Sequence, residues 1–357
     1  MGCMMNSIQQ APVVGPPSAA LSDPLLPAPS PGATSWQQVM KEAVRDVREL
    51  CRLLDLPQSF AAQATKAARD FPLFVPQPFV ARMRSGNPDD PLLRQVLPLN
   101  AETTSIEGFT LDPVADSAAC VVPGLLHKYQ GRALMVTTGA CAVHCRYCFR
   151  RHFPYHETPR SLAQWEPAIE RIAADESIRE VILSGGDPLT LVDGLLARLA
   201  GRLAEISHLR RLRVHTRLPI VIPQRVTNEL LNWLTSTHLT PIVVVHANHP
   251  AEIDDAVAVA LDRLVEAGIP VLNQAVLLRG VNDDAEVLTE LCERLIELGV
   301  MPYYLHQLDR VAGSAHFQVP IAHGQEIIRQ LQSRLPGYAV PRYVQEVPGA
   351  PHKVSLI

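Results

Sequence analysis

A chain of 357 residues with 47% hydrophobic content can bury one large core, or one domain with a helical annex. A formal net charge of −4 and the lack of a basic stretch interleaved with aromatics exclude nucleic acid as an expected partner. Seven cysteines, three of them clustered, do not make a secreted disulfide framework. No apolar run reaches the roughly 20 residues of a membrane span and no signal peptide is read, so a reduced cytoplasmic setting and no membrane are expected.

Residues 1–35 read as a tail rich in Pro, Ser and Ala, without apolar periodicity and expected to be disordered. From Trp36 the text turns helical, with Val39, Ala43, Val47, Leu50 and Leu54 on one face, and a second short helix is expected over Phe60 to Arg69. Prolines and turn signals such as SGNPDDP then dominate up to Gly124. Residues 36–125 are therefore read as an N-terminal helical and loop annex, 126–340 as the core, and 341–357 as a C-terminal segment.

The core is regular. Apolar β-rich runs at Ala133–Thr138, Val181–Ser184, Leu212–Thr216, Pro241–His246, Val271–Leu278 and Pro302–Leu305 alternate with amphipathic helical stretches. Two of these, EIDDAVAVALDRLVEAG and AEVLTELCERLIELG, end at a glycine suited to a helix C-cap. Six such units imply parallel β/α architecture, and their even spacing suits a barrel or partial barrel. Chemistry in that architecture collects at the C-terminal ends of the strands, and the unusual residues do fall there. The cysteine cluster follows the first strand, SGGDPL the second and HTRLP the third. HANHP closes the fourth strand, Asn273 and Gln274 lie on the fifth, and HQLD ends the sixth.

GACAVHCRYCFRRHFPY places Cys141, Cys145 and Cys148 in a C-x3-C-x2-C array with no fourth cysteine nearby. A zinc site would draw its fourth ligand from His144 or His152. An iron–sulfur cluster held by three thiolates would instead leave one iron open to a small molecule.

With Tyr147 before the last cysteine, the array resembles the radical adenosylmethionine superfamily. The resemblance implies a partial (β/α)6 parallel barrel of that type with an N-terminal helical annex, a 4Fe-4S cluster on Cys141, Cys145 and Cys148, and S-adenosyl-L-methionine on the open iron. SGGDPL resembles the superfamily's glycine-rich motif, which makes Gly185, Gly186 and Asp187 expected adenosylmethionine contacts. A side chain at the glycines would block the backbone's approach to the cofactor.

YYLHQLD, then Gly313, His316 and Phe317, then GYAVPRYV and a lysine after a Gly/Pro turn are similar to the lysine 2,3-aminomutase family. That likeness implies pyridoxal 5′-phosphate bound through a Schiff base to Lys353, which requires a neutral amine and a C-terminus folded back over the barrel mouth. By the same likeness Arg217 and Tyr129 meet the cofactor phosphate, and Gln274 lies near adenosylmethionine. Arg150 takes the substrate carboxylate, while Asp309 and Glu346 receive the side-chain ammonium of L-lysine. Glu346 stands where free-lysine mutases carry Asp. Together with CRYCFRRHFPY, FPLFVPQPFVARM and a short C-terminal end, this resembles the branch that supplies (R)-β-lysine for elongation factor P. Elongation factor P or its lysyl-ligating enzyme is then an expected partner, and the free-lysine mutases are the alternative branch.

Overall fold

The computed structural model describes residues 34–357, which form one compact unit. Almost the whole tail expected over residues 1–35 lies outside the described residues. A single ten-stranded sheet runs in sequence order: β1 (Cys120–Val122), β2 (Leu125–Tyr129), β3 (Arg132–Thr138), β4 (Glu180–Gly185), β5 (Arg211–His215), β6 (Thr240–His246), β7 (Val271–Val276), β8 (Met301–His306), β9 (Arg342–Gln345) and β10 (Val354–Ser355). From β3 to β9 every neighbour pair is parallel. β1 and β2 add an antiparallel hairpin at one edge, and β10 returns antiparallel on β9 at the other. The architecture is a partial parallel β/α barrel.

The six apolar runs of the sequence are β3 to β8. Three further pieces were not expected. The hairpin β1–β2 starts the sheet ahead of the 125/126 boundary, β9 is a seventh parallel strand, and β10 carries the chain's last pairing.

The intervening helices cover the outer face: Leu162–Ala173, Asp193–Ala204, Asn228–Thr235, Asp255–Glu266, Ala285–Glu297 and Ile321–Arg334. Ser161, Thr227, Asp254 and Asp284 cap four of them through side-chain oxygens on backbone N–H groups. Each such cap contributes about 1 kcal/mol. Gly268 and Gly299, the expected C-cap glycines, have φ of 73° and 69°. Leu196, Leu199, Leu261, Leu264, Leu288 and Leu291 are buried between these helices and the sheet. No helix of the described residues is long and apolar enough to cross a membrane.

Period-two alternation decides what faces the lumen. On β7, Val271, Asn273 and Ala275 are buried outward, leaving Gln274 and Val276 to the inside. His246 pairs in register with Gln274, and Gln274 with Tyr304. On β5, Val214 is buried outward while Arg213 and His215 face in. The lumen thus becomes polar without disturbing the apolar layer beneath the helices.

Candidate active site

A cavity of about 510 Å³ opens at the C-terminal ends of the strands. The three clustered cysteines, Gly185 to Asp187, Arg217, Gln274, Arg150, Asp309, Tyr129, Glu346 and Lys353 all line it. Every residue expected at a cofactor or at the substrate is therefore brought to one chamber. Their contacts within it differ from the sequence reading in several places.

The cysteine loop follows β3. Burial pushes the Cys141 thiol well up and that of Cys148 to about 11, so a bound metal must displace protons there. Among the described residues no three metal-ligating side chains close on one metal position. Cys145 Sγ accepts a hydrogen bond from Arg217 Nη1 at 2.7 Å. Neither histidine offered for zinc turns toward the sulfurs. His144 stacks on Phe71 and pairs through Nδ1 with Pro72 O, and His152 Nε2 meets Ala312 O. Three thiols with no histidine turned to join them fit a cluster with an open iron better than tetrahedral zinc.

The annex holds this loop from behind. Glu102, buried, accepts Arg146 Nε at 2.9 Å and Arg151 Nη2 at 2.9 Å, so one carboxylate joins two arginines flanking the cysteines. Neither the sequence pattern nor the family likeness singled out Glu102.

SGGDPL occupies the turn after β4, and packing alone already requires its glycines. A Cβ on Gly186 would sit 2.2 Å from Ala140 O, and one on Gly185 2.5 Å from Thr138 O. This constraint is packing against the backbone from the end of β3 into the cysteine loop, which Gly186 N and Asp187 N also bond at 2.7 Å each. Asp187, expected at a cofactor, has its carboxylate taken up by the protein. Oδ2 accepts Arg217 N at 2.7 Å and Oδ1 accepts Thr216 Oγ1 at 2.8 Å. It ties the β4 turn to the β5 turn.

Arg150 reaches toward the cavity over the Phe149 ring. Nε donates to Asp116 Oδ2 at 2.7 Å and Nη1 to Ser184 Oγ at 3.3 Å. Among the described residues Nη2 takes no protein acceptor. Asp116, buried and absent from the sequence reading, also pairs with Lys128 Nζ at 2.7 Å. Burial raises its carboxyl pKa, but Arg150 and Lys128 outweigh that and hold it below the ordinary range.

At the other end of the chamber Lys353 Nζ pairs with Glu346 Oε2, and Tyr129 OH donates to Glu346 Oε1 at 2.6 Å. β10 places Lys353 there, because its pairing with β9 turns the C-terminal segment back toward the barrel. Burial raises the Glu346 pKa, but Lys353, Tyr129 and Lys128 together hold it below the ordinary range. Asp309 has no such partner. Burial pushes its carboxyl up to about 7, with Lys353 only partly offsetting the cost.

Arg217 is not among the groups around Lys353. Its Nη2 bonds Gln95 Oε1 at 2.7 Å and Glu252 Oε2 at 2.8 Å, so its guanidinium belongs to the cysteine end. The cations lining the chamber near Tyr129 include Lys128, whose Nζ is 3.6 Å from Glu346 Oε1, Arg132, whose guanidinium lies 4.6 Å over the Tyr129 ring, and Arg213. Arg213 Nε is buried without a partner while Nη2 pairs with Glu180. His246, read as an ordinary hydrogen-bonding residue, is 3.3 Å from Tyr147 OH, and His249 Nδ1 accepts Ala251 N at 3.1 Å.

The Radical SAM superfamily pattern matches residues 135–292, which run from β3 through the helix after β7. An L-lysine 2,3-aminomutase of Haemophilus influenzae is 46% identical over 319 residues, spanning 89% of this chain and 94% of that protein. One of Escherichia coli is 45% identical over 328 residues, spanning 92% and 96%. The chain belongs to the L-lysine 2,3-aminomutase family. An enzyme so named from Clostridium subterminale is 33% identical over 90% of this chain. Family membership makes the chain a radical adenosylmethionine isomerase, and its cysteine loop fits the cluster and adenosylmethionine that this chemistry uses.

Proposed function

We propose that this aminomutase converts L-lysine to (R)-β-lysine with the help of pyridoxal phosphate, and that the product serves β-lysylation of elongation factor P. The observation that carries the aminomutase reading is the single chamber. It has Cys141, Cys145 and Cys148 at one end and Lys353 with Glu346 and Asp309 at the other. When bound, the cluster and adenosylmethionine supply an organic radical, and pyridoxal phosphate supplies the conjugated ring that carries the migrating nitrogen.

The protein's own part is to hold both cofactors and fix the substrate between them. Lys353 is the amine to which pyridoxal phosphate attaches. Arg132 and Arg213, with the free Nε of the latter, are better placed for its phosphate than Arg217. Arg150 Nη2 receives the substrate carboxylate, kept in place by Asp116 at Nε. Asp309 and Glu346 would receive the ε-ammonium, and Glu346, which pairs with Lys353 here, would be free for it once Lys353 carries pyridoxal phosphate. Clamping both ends of lysine decides which carbon faces the radical, and positioning of this kind supplies several kcal/mol, roughly 7–11 at most. Two carboxylates near Lys353 favour a cationic substrate side chain over an acidic one. The role in elongation factor P modification is supported by Glu346 and by the sequence likeness of CRYCFRRHFPY.

Anaerobic turnover of free L-lysine by the reconstituted enzyme, resolved by chiral chromatography, tests this reading. (R)-β-lysine is expected. (S)-β-lysine would move the chain to the free-lysine branch. Deoxyadenosine without β-lysine would mean the substrate is wrong. Lys353→Ala should retain iron and lose bound pyridoxal phosphate by its visible absorption; normal retention would refute the lysine's assignment.

A further inference from the structure

We propose that Gln95, Glu252 and Arg217 form a buried positioning group behind the cysteine loop, to which the annex contributes Gln95, and that it raises the reduction potential of the cluster held there. This rests on the cluster reading of the preceding section and goes beyond it, since none of the three is a ligand.

Gln95 is fully buried at the C-terminal end of the short annex helix Pro91–Arg94. Its Oε1 accepts Arg217 Nη2 at 2.7 Å, Asn248 Nδ2 at 2.9 Å and Tyr147 OH at 3.2 Å. Its Nε2 donates to Glu252 Oε1 at 3.0 Å and to Pro91 O at 3.2 Å, and its backbone O accepts Arg146 N at 2.8 Å. One side chain thus contacts the cysteine loop through Tyr147, the β5 turn through Arg217 and the segment after β6 through Asn248 and Glu252.

Arg217 is held from every side. Its guanidinium lies 5.4 Å from the Phe79 ring of the annex and 5.8 Å from the Tyr147 ring of the cysteine loop. Nη2 is fixed by Gln95 and Glu252, which leaves Nη1 on Cys145 Sγ at 2.7 Å. Nε is buried without a partner. The Glu252 side chain is 0% exposed and that of Arg217 7%. A buried ion pair is costly in desolvation, so its placement against a ligand sulfur points to a specific use.

That use follows from electrostatics. Reducing a cluster adds one negative charge. A fixed cation and an N–H···S hydrogen bond at a ligand sulfur both stabilise the reduced form and raise the potential. The shape of the guanidinium matters as well as its charge, because Nη1 reaches the sulfur only while Nη2 is clamped.

The test is an EPR-monitored redox titration of the reconstituted enzyme with adenosylmethionine absent. Arg217→Met with Glu252→Met removes both charges together and avoids stranding one of them. Its potential should fall by an amount equal to at least a tenfold weaker one-electron reduction, 59 mV. Arg217→Lys should fall by less. Gln95→Met, which leaves both charges, should also fall, and it decides the matter if the double variant fails to retain iron. An unchanged potential in an iron-loaded double variant, or in Gln95→Met, overturns the proposal. A wild-type protein without a 4Fe-4S signal would instead overturn the cluster reading on which it rests.

Discussion

Asp309 and Glu346 show how two carboxylates in one chamber acquire different chemistry. Glu346 is ionised by its contacts with Lys353 and Tyr129, whereas Asp309 is buried without a direct cation and titrates at about 7. Below that pH Asp309 is mostly a neutral acid, and above it a carboxylate able to receive an ammonium group. Because kcat/KM reports the free enzyme, its value for lysine should rise with pH through about 7. Asp309→Asn should lower kcat/KM and flatten that rise; a variant that keeps the wild-type profile would remove Asp309 from substrate binding. The same scale shows what sequence patterns leave unread. Cys141, Cys145, Cys148, Gly185 and Gly186 were legible because a motif of fixed spacing holds them. Asp116, Gln95 and Glu252 were not, since Gln95 and Glu252 meet across 157 residues of chain and nothing local marks either as polar core.

At the level of elements, β3 to β8 were legible because each is a continuous apolar run between amphipathic helices. β9 was not. RYVQ has only two buried residues, Tyr343 and Val344, and follows a proline, so local pattern does not separate it from a tail. β1 lies at the end of the proline-rich stretch read as loop up to Gly124, and β2 begins just after it. The cysteine loop is the element most dependent on its neighbours. Glu102→Ala would leave Arg146, whose side chain is 0% exposed, without its carboxylate. Breaking such a pair costs about 3–5 kcal/mol. The variant should unfold at markedly lower denaturant concentration and retain less iron after reconstitution. Retention of both at wild-type levels would show that the annex does not seat the loop.

For the molecule as a whole, the annex, the barrel and the C-terminal segment each supply residues to the same chamber. Phe71 and Asp116 come from the first, Arg150 and Asp309 from the second, and Glu346 and Lys353 from the third. A cofactor that binds only when the segment from β9 to β10 is docked must stabilise the folded chain by mass action. At a pyridoxal phosphate concentration 100 times its Kd that amounts to about 2.7 kcal/mol. The melting temperature should rise by several degrees with added pyridoxal phosphate in the wild type and stay constant in Lys353→Ala. An equal rise in both would place the cofactor elsewhere.

The central claim is that the cysteine end and the Lys353 end of the chamber act on one lysine molecule. Isotope transfer tests it most directly. L-Lysine deuterated at its β-carbon is turned over anaerobically with unlabelled adenosylmethionine, and both the recovered adenosylmethionine and the β-lysine are analysed by mass spectrometry. Deuterium at the adenosyl 5′ carbon, lost in Lys353→Ala, is the result predicted. β-Lysine formed while adenosylmethionine gains no deuterium, the deuterium displaced from the β-carbon having gone to solvent, would contradict it.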